Sequence, residues 1–202
     1  MEKSKMFNAR KLTMTAMFGA ISFILMFFKL NIPFFSPVAD FDLSAFPELL
    51  GGFMLGPICA LVIIVIKLAL KLAILGTSTM FTGELQNLLL SIAYVLPAVL
   101  YYRKNRTKKG AVIGVVIGSV ASIIIAVFTN IYLIFPFYME VFGMDWEKII
   151  GMFSAANSYI KDVPTLIAFS IVPFNLISRT VTSLLTILLY KKISVPMKKW
   201  MA

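Results

Sequence analysis

Apolar runs of bilayer-spanning length recur from one end of this 202-residue chain to the other, and no other feature narrows its possible folds so far. At about 1.5 Å per residue, roughly 20 residues cross the ~30 Å hydrocarbon layer, which leaves room for about six crossings and little else. The runs fall at residues 12–30, 45–55, 58–75, 85–102, 111–135 and 165–190. The second is short, and Gly56-Pro57 reads as a tight turn that separates it from the third. Lys3, Lys5, Arg10 and Lys11 open the first run, and Asn31, Pro33 and Pro37 end it. Composition agrees: 60% of the residues are hydrophobic and 14% charged, against about 45–50% and 25% in soluble globular chains. A signal peptide does not account for the excess, because no small-residue cleavage site follows the first run and the others continue it. The expectation is an all-α integral membrane protein, one membrane domain over 1–202 with six transmembrane helices. Three longer connections, 31–44, 76–83 and 136–164, join them.

The charges are segregated. Thirteen of the 19 basic residues lie in the N-terminal segment, in the cluster Arg103, Lys104, Arg106, Lys108 and Lys109, and in the tail from Lys191 to Lys199. Lysine and arginine mark cytoplasmic segments, so both termini are expected inside. The acids Asp40, Asp42, Glu48, Glu84, Glu140, Asp145, Glu147 and Asp162 lie in or beside the other connections, which then face outward. The net charge of +10 becomes a matter of topology and anionic lipid, with no nucleic-acid partner expected. A single cysteine, Cys59, and the lack of histidine exclude a disulfide framework, a Cys/His zinc site and histidine acid–base chemistry. No metal and no cofactor is expected. No phosphate-binding glycine loop is present, so the chain does not hydrolyse nucleotide itself.

Polar groups at membrane depth are costly and are functional candidates for that reason. Lys67 and Lys71, four residues apart, share a helix face and offer donors to an anionic or carbonyl-rich ligand. The alternative for Lys71 is snorkelling or pairing with Glu84. Asn130 and Asn175 each present an amide suited to the edge of a heterocycle, or else a helix–helix hydrogen bond. The stretch 76–87, with Thr79, Glu84 and Asn87, is polar enough to wrap a hydrophilic solute, although helix capping explains part of it. Phe34, Phe35 and Phe41 in the first outer loop are candidates for stacking on a flat ligand. Ala16, Gly19 and Ala20 form a small-residue surface that either packs inside the bundle or docks a partner. Six helices with no inverted repeat suit a binding subunit better than a stand-alone transporter.

These residues as a set resemble the substrate-binding S components of energy-coupling factor (ECF) vitamin transporters, and among them the riboflavin-binding RibU type. The likeness covers nearly the whole chain: Ala16-x-x-x-Ala20, Phe41-Asp42-Leu43-Ser44, Pro47, Leu49-Leu50, Gly56-Pro57, Ile66-Lys67, the loop to Asn87, Thr129-Asn130-Ile131-Tyr132 and Pro173-Phe174-Asn175. The resemblance implies a six-helix bundle, a vitamin held near the outer surface beneath the loop between helices one and two, and no catalytic activity. It implies ligand contacts from Asn130, Asn175, Lys67 or Lys71, Thr79, Glu84, Asn87, Phe41, Asp42 and Ser178. It further implies docking through Ala16, Gly19 and Ala20 on a transmembrane coupling subunit that carries two ATPases, in the cell membrane of a Gram-positive-type bacterium. One position departs from the pattern: flavin-binding relatives often carry a lysine three residues after the helix-six asparagine, where this chain has Ser178 followed by Arg179. The competing readings are an S component for another vitamin such as pantothenate, an intramembrane enzyme, and a structural membrane protein.

Overall fold

The computed structural model describes residues 9–31, 34–35 and 40–201. Lys3, Lys5, Pro33 and Pro37 lie outside the described residues. Four helical rods are long and apolar enough to cross a membrane: Pro57–Leu75, Thr82–Lys104, Lys108–Phe142 and Val163–Tyr190. Two shorter helices precede them, α1 (Ala9–Leu25) and α2 (Ala45–Leu55). The first apolar run predicts a helix to residue 30. Instead α1 stops at Leu25, and the chain turns so that β1 (Leu30–Asn31) pairs antiparallel with β2 (Asp40–Phe41). Among the described residues this two-residue ladder is the exception in an otherwise helical fold.

Helix α2 has only 11 residues, and nine of them are buried. A helix that is apolar on every side but for one buried acid, Glu48, belongs inside a bundle. It ends where Gly56 adopts φ +102°, and Pro57 opens α3 (Pro57–Leu75). Only glycine takes that backbone conformation readily, and proline at the first helical position gives up no intrahelical bond.

The next pair, α4 (Thr82–Lys104) and α5 (Lys108–Thr129), packs at backbone contact. A Cβ added to Gly114 would lie 2.7 Å from the Ala98 carbonyl oxygen, and one added to Gly118 would lie 2.1 Å from that of Tyr94. Further along the same face, the Ser122 hydroxyl donates to the Leu90 carbonyl at 3.2 Å. Gly114, Gly118, Ser122 and Ala126 recur every four residues and are all buried. Between membrane helices such small residues permit the close approach that supplies dispersion attraction.

Two helices continue through prolines by widening. A π-helical turn, Asn130–Ile134, joins α5 to α6 (Phe135–Phe142), so the expected end near residue 135 is overrun. A second, Ile167–Ile171, joins α8 (Val163–Leu166) to α9 (Val172–Met201). In each case one residue follows the π turn and then comes proline, Pro136 or Pro173. Proline has no N–H to donate and its ring clashes with the preceding turn; a widened turn relieves both.

Between the two rods, the connection expected over 136–164 contains a further helix, α7 (Trp146–Ser154). Its N-terminus is capped by the Asp145 carboxylate, which accepts the Lys148 N–H at 2.8 Å. Ile149 and Phe153, one turn apart, are its buried side, and the Phe153 ring meets Phe135 edge to face. At the start of α8, the Thr165 hydroxyl and N–H both donate to Asp162 and hold its carboxyl below the usual carboxylate range.

Candidate functional site

A cavity of about 310 Å³ opens at the end of the bundle where the 76–81 loop, the β-ladder and α7 gather. Eight of the residues singled out in the sequence line it: Asp42, Lys71, Thr79, Glu84, Asn87, Asn130, Asn175 and Ser178. Lys67 and Phe41 do not.

Lys67 lies beneath the cavity, fully buried, and its donors are consumed by the protein. Its ammonium pairs with the equally buried Glu48 of α2 and donates to Asn87 Oδ1 at 2.6 Å, Ser44 Oγ at 3.3 Å and Ser91 Oγ at 3.4 Å. The Ser22 hydroxyl of α1 reaches the same knot, donating to the Ser44 carbonyl at 2.6 Å. Four helices, α1 to α4, are thereby tied together under the cavity floor. The expectation that Lys67 offers its donors to a ligand is corrected: Ser44, Asn87 and Ser91, which it holds, line the cavity in its place. Glu48 is equally a correction, because its place beside a loop in the sequence gives no sign of the buried partner.

Lys71 sits at the cavity mouth in an ion pair with Glu84. The other Glu84 oxygen accepts from the Thr77 and Thr79 hydroxyls, both at 3.1 Å. Thr77 also accepts the Phe81 N–H at 2.9 Å, and Thr79 accepts that of Gly83 at 3.0 Å. Met80 and Phe81 turn through positive φ values of 48° and 67° to enter α4. Capping therefore operates in this loop, and it fixes the rim of the cavity.

Asn130 opens the first π turn and Asn175 follows the second. Both amides are clamped in one manner: Nδ2 donates to the carbonyl four residues back, Ala126 at 2.7 Å and Ile171 at 2.9 Å. Neither bonds a neighbouring helix, so the interhelical alternative does not describe them. Each keeps its Oδ1 and a second N–H for whatever occupies the cavity.

The aromatic surface comes from elsewhere than expected. Phe41 is buried in the protein, Phe34 is exposed, and the Phe35 carbonyl accepts the Ser170 hydroxyl. Phe135, Tyr138, Phe153 and Phe174 supply the rings of the wall instead. Phe135 and Tyr138 lie just beyond the first π turn, and nothing in the 136–164 segment of the sequence suggests that it folds back as a wall. Arg179, one helical turn past Asn175, also lines the cavity. Its charge inside an apolar run and its i+4 spacing from Asn175 are the signals for it in the sequence.

The small-residue face of α1 divides. Ala16 is exposed and Ala20 is half-buried, whereas Gly19 is buried against α3, where an added Cβ would lie 2.5 Å from Ile66. Gly19 is a packing residue of the bundle, which corrects its assignment to a docking surface.

Comparison with known proteins agrees with this architecture. Residues 10–190 match the family described as ECF transporter, substrate-specific component. A riboflavin transporter RibU of Staphylococcus aureus is 28% identical over 95% of this chain and 94% of its own length. The riboflavin transporter FmnP of Bacillus subtilis is 24% identical over 92% and 93%. The solved structure of the S component of a bacterial ECF transporter superposes with a TM-score of 0.70 at 28% identity, covering 91% of this chain and 95% of that one. This multi-pass membrane chain belongs to the family of substrate-specific S components of ECF transporters, which are transporter subunits and not enzymes.

Proposed function

We propose that the chain is the vitamin-binding subunit of an ATP-driven importer and that its ligand is riboflavin. The observation that carries this reading is the chemistry of the cavity. A wall of aromatic rings faces two clamped amides and the hydroxyls of Ser44, Thr79, Ser91 and Ser170, a lining suited to a flat heterocycle that carries a polyol. The names of the relatives, at 24% and 28% identity, point the same way.

On this reading the chain crosses the membrane six times with both termini inside, as its charge segregation favours. The 17 residues of α1 rise about 26 Å and the 11 of α2 about 17 Å. Helix α2 thus reaches only part way and is sheltered by its neighbours. ATP hydrolysis belongs to two partner ATPases joined through a transmembrane coupling protein, in the cell membrane of a Gram-positive-type bacterium. Ala16, on the exposed face of α1, and Ala20 at its edge serve as the docking surface.

The test is direct. Protein purified in detergent should quench the fluorescence of added riboflavin saturably, with one site per chain. Absence of quenching across the micromolar range would refute riboflavin as ligand while leaving the family assignment intact.

A further inference from the structure

Arg179 is 8% exposed, lines the cavity, and makes no hydrogen bond or ion pair among the described residues. Its Nε is buried and unpartnered. Its guanidinium carbon lies 4.9 Å from the centre of the Tyr94 ring. Tyr94 is fully buried, and its hydroxyl shares a 2.8 Å hydrogen bond with Ser183. The ring covers one face of the guanidinium with π density and offers nothing to its five N–H groups.

No carboxylate bonds it among the described residues: Glu48 pairs with Lys67, and Asp42, which accepts the Ser44 N–H at 2.7 Å, acts on the guanidinium only through space, as Glu48 does. Arginine cannot lose its proton to escape this situation. Buried polar groups are almost always hydrogen-bonded, and a buried charge without partners is strongly unfavourable. An arginine held this way in the lining of a cavity is therefore a site whose partner arrives from outside.

We infer that Arg179 is a ligand-binding residue that receives a planar edge bearing two adjacent acceptors. The fork of parallel N–H donors matches such an edge, whether a carbonyl oxygen beside an unprotonated ring nitrogen or a carboxylate. This deepens the riboflavin reading and rests on it for the choice of edge: a flavin heterocycle has a carbonyl next to ring nitrogen N1 and another next to N5. Asn175 lies one turn away on the same face of α9, so the amide addresses the next group along the same edge. Ring stacking and the two amides grip any flat polar heterocycle. The arginine selects for acceptors at one edge of it, and so sets specificity.

The experiment compares wild type with Arg179→Met and Arg179→Lys, in detergent, by two readouts. In riboflavin titrations, Arg179→Met should raise the Kd about 10- to 100-fold, the usual loss for a hydrogen bond to a charged group. Arg179→Lys, which keeps charge and loses the fork, should fall between. The flavin analogues in which N1 or N5 is replaced by C–H probe the contact atom: one of them should bind wild type more weakly than riboflavin does, and that difference should vanish in Arg179→Met. The second readout is thermal stability without ligand, where Arg179→Met should be as stable as wild type or more so, since it removes an uncompensated buried charge.

An unchanged Kd in Arg179→Met, or an analogue penalty that persists in it, would overturn the inference. So would a marked fall in its ligand-free stability, which would make Arg179 a structural residue. If wild type fails to bind riboflavin at all, the ligand reading is what fails; the stability comparison then still decides whether Arg179 is held for an incoming partner or for the fold.

Discussion

Removing the Lys67 ammonium should cost this protein a large share of its stability. Lys67 and Glu48 both have 0% exposure, so in Lys67→Met the Glu48 carboxylate remains where no water reaches it. Removing one partner of a buried ion pair costs about 3–5 kcal/mol. Asn87 Oδ1 loses its 2.6 Å bond in the same step, but energies within one network do not add, so about 4 kcal/mol is the working figure for the whole knot. Against a typical folding free energy of about 5–15 kcal/mol, that lowers the folded-to-unfolded ratio roughly a thousandfold. The double variant Lys67→Met with Glu48→Gln deletes both charges and should recover more than half of the loss, because a neutral amide is far cheaper to bury than a carboxylate. The assay is denaturant or thermal unfolding in detergent, read on the single and double variants side by side. If Lys67→Met lies within about 1 kcal/mol of wild type, or if the double variant is no better than the single, the knot is not the structural tie that its burial and partners make it.

Two further outcomes are expected. Asn130→Leu and Asn175→Leu should each weaken riboflavin binding by about 1–3 kcal/mol while the protein still elutes as a folded monodisperse species, since each amide bonds only its own helix; unchanged titration curves for both would remove them from the site. Ala16→Trp should leave riboflavin binding intact and abolish co-purification with the coupling subunit, whereas Gly19→Val should destabilise the isolated chain through its clash with Ile66; loss of binding in Ala16→Trp would place that residue in the bundle.

What the sequence makes legible follows from the range over which each interaction acts. Hydropathy is local, and the long apolar rods are visible in it to within a few residues except where one overruns residue 135 to Phe142; the break at Gly56-Pro57 is visible too, because proline and a positive-φ glycine act on their own backbone. The α4–α5 seam is written just as locally, as four small residues from Gly114 to Ala126 spaced by four, yet nothing in that spacing distinguishes it from the similar pattern at Ala16 and Ala20, which packs differently. The Lys67–Glu48 pair is not legible. Its members stand 19 positions apart on different helices, and the proximity of Glu48 to a loop suggests solvent. Helix α7 escapes because a nine-residue helix buries only Ile149 and Phe153, too few for a periodicity to emerge.

The site itself is half legible for a physical reason. Residues such as Asn130 and Asn175 announce themselves, since an amide in an apolar run needs a justification that lipid cannot provide. What the sequence conceals is why they point into a cavity. Pro136 reads as a helix end and Pro173 falls inside the expected span 165–190; both helices pass through their proline, each widened by a π turn that ends two residues before it. The widening places Asn130 at the start of one irregular turn and Asn175 just past the other, and each amide is then pinned by a bond to its own helix. A pinned amide has little rotamer freedom left to lose when a ligand binds, so its hydrogen bonds come at lower entropic cost. Pro136, which looks like punctuation in the sequence, and Pro173, which lies within an expected span, each accompany the π turn that sets a cavity-lining amide at a fixed angle in its helix.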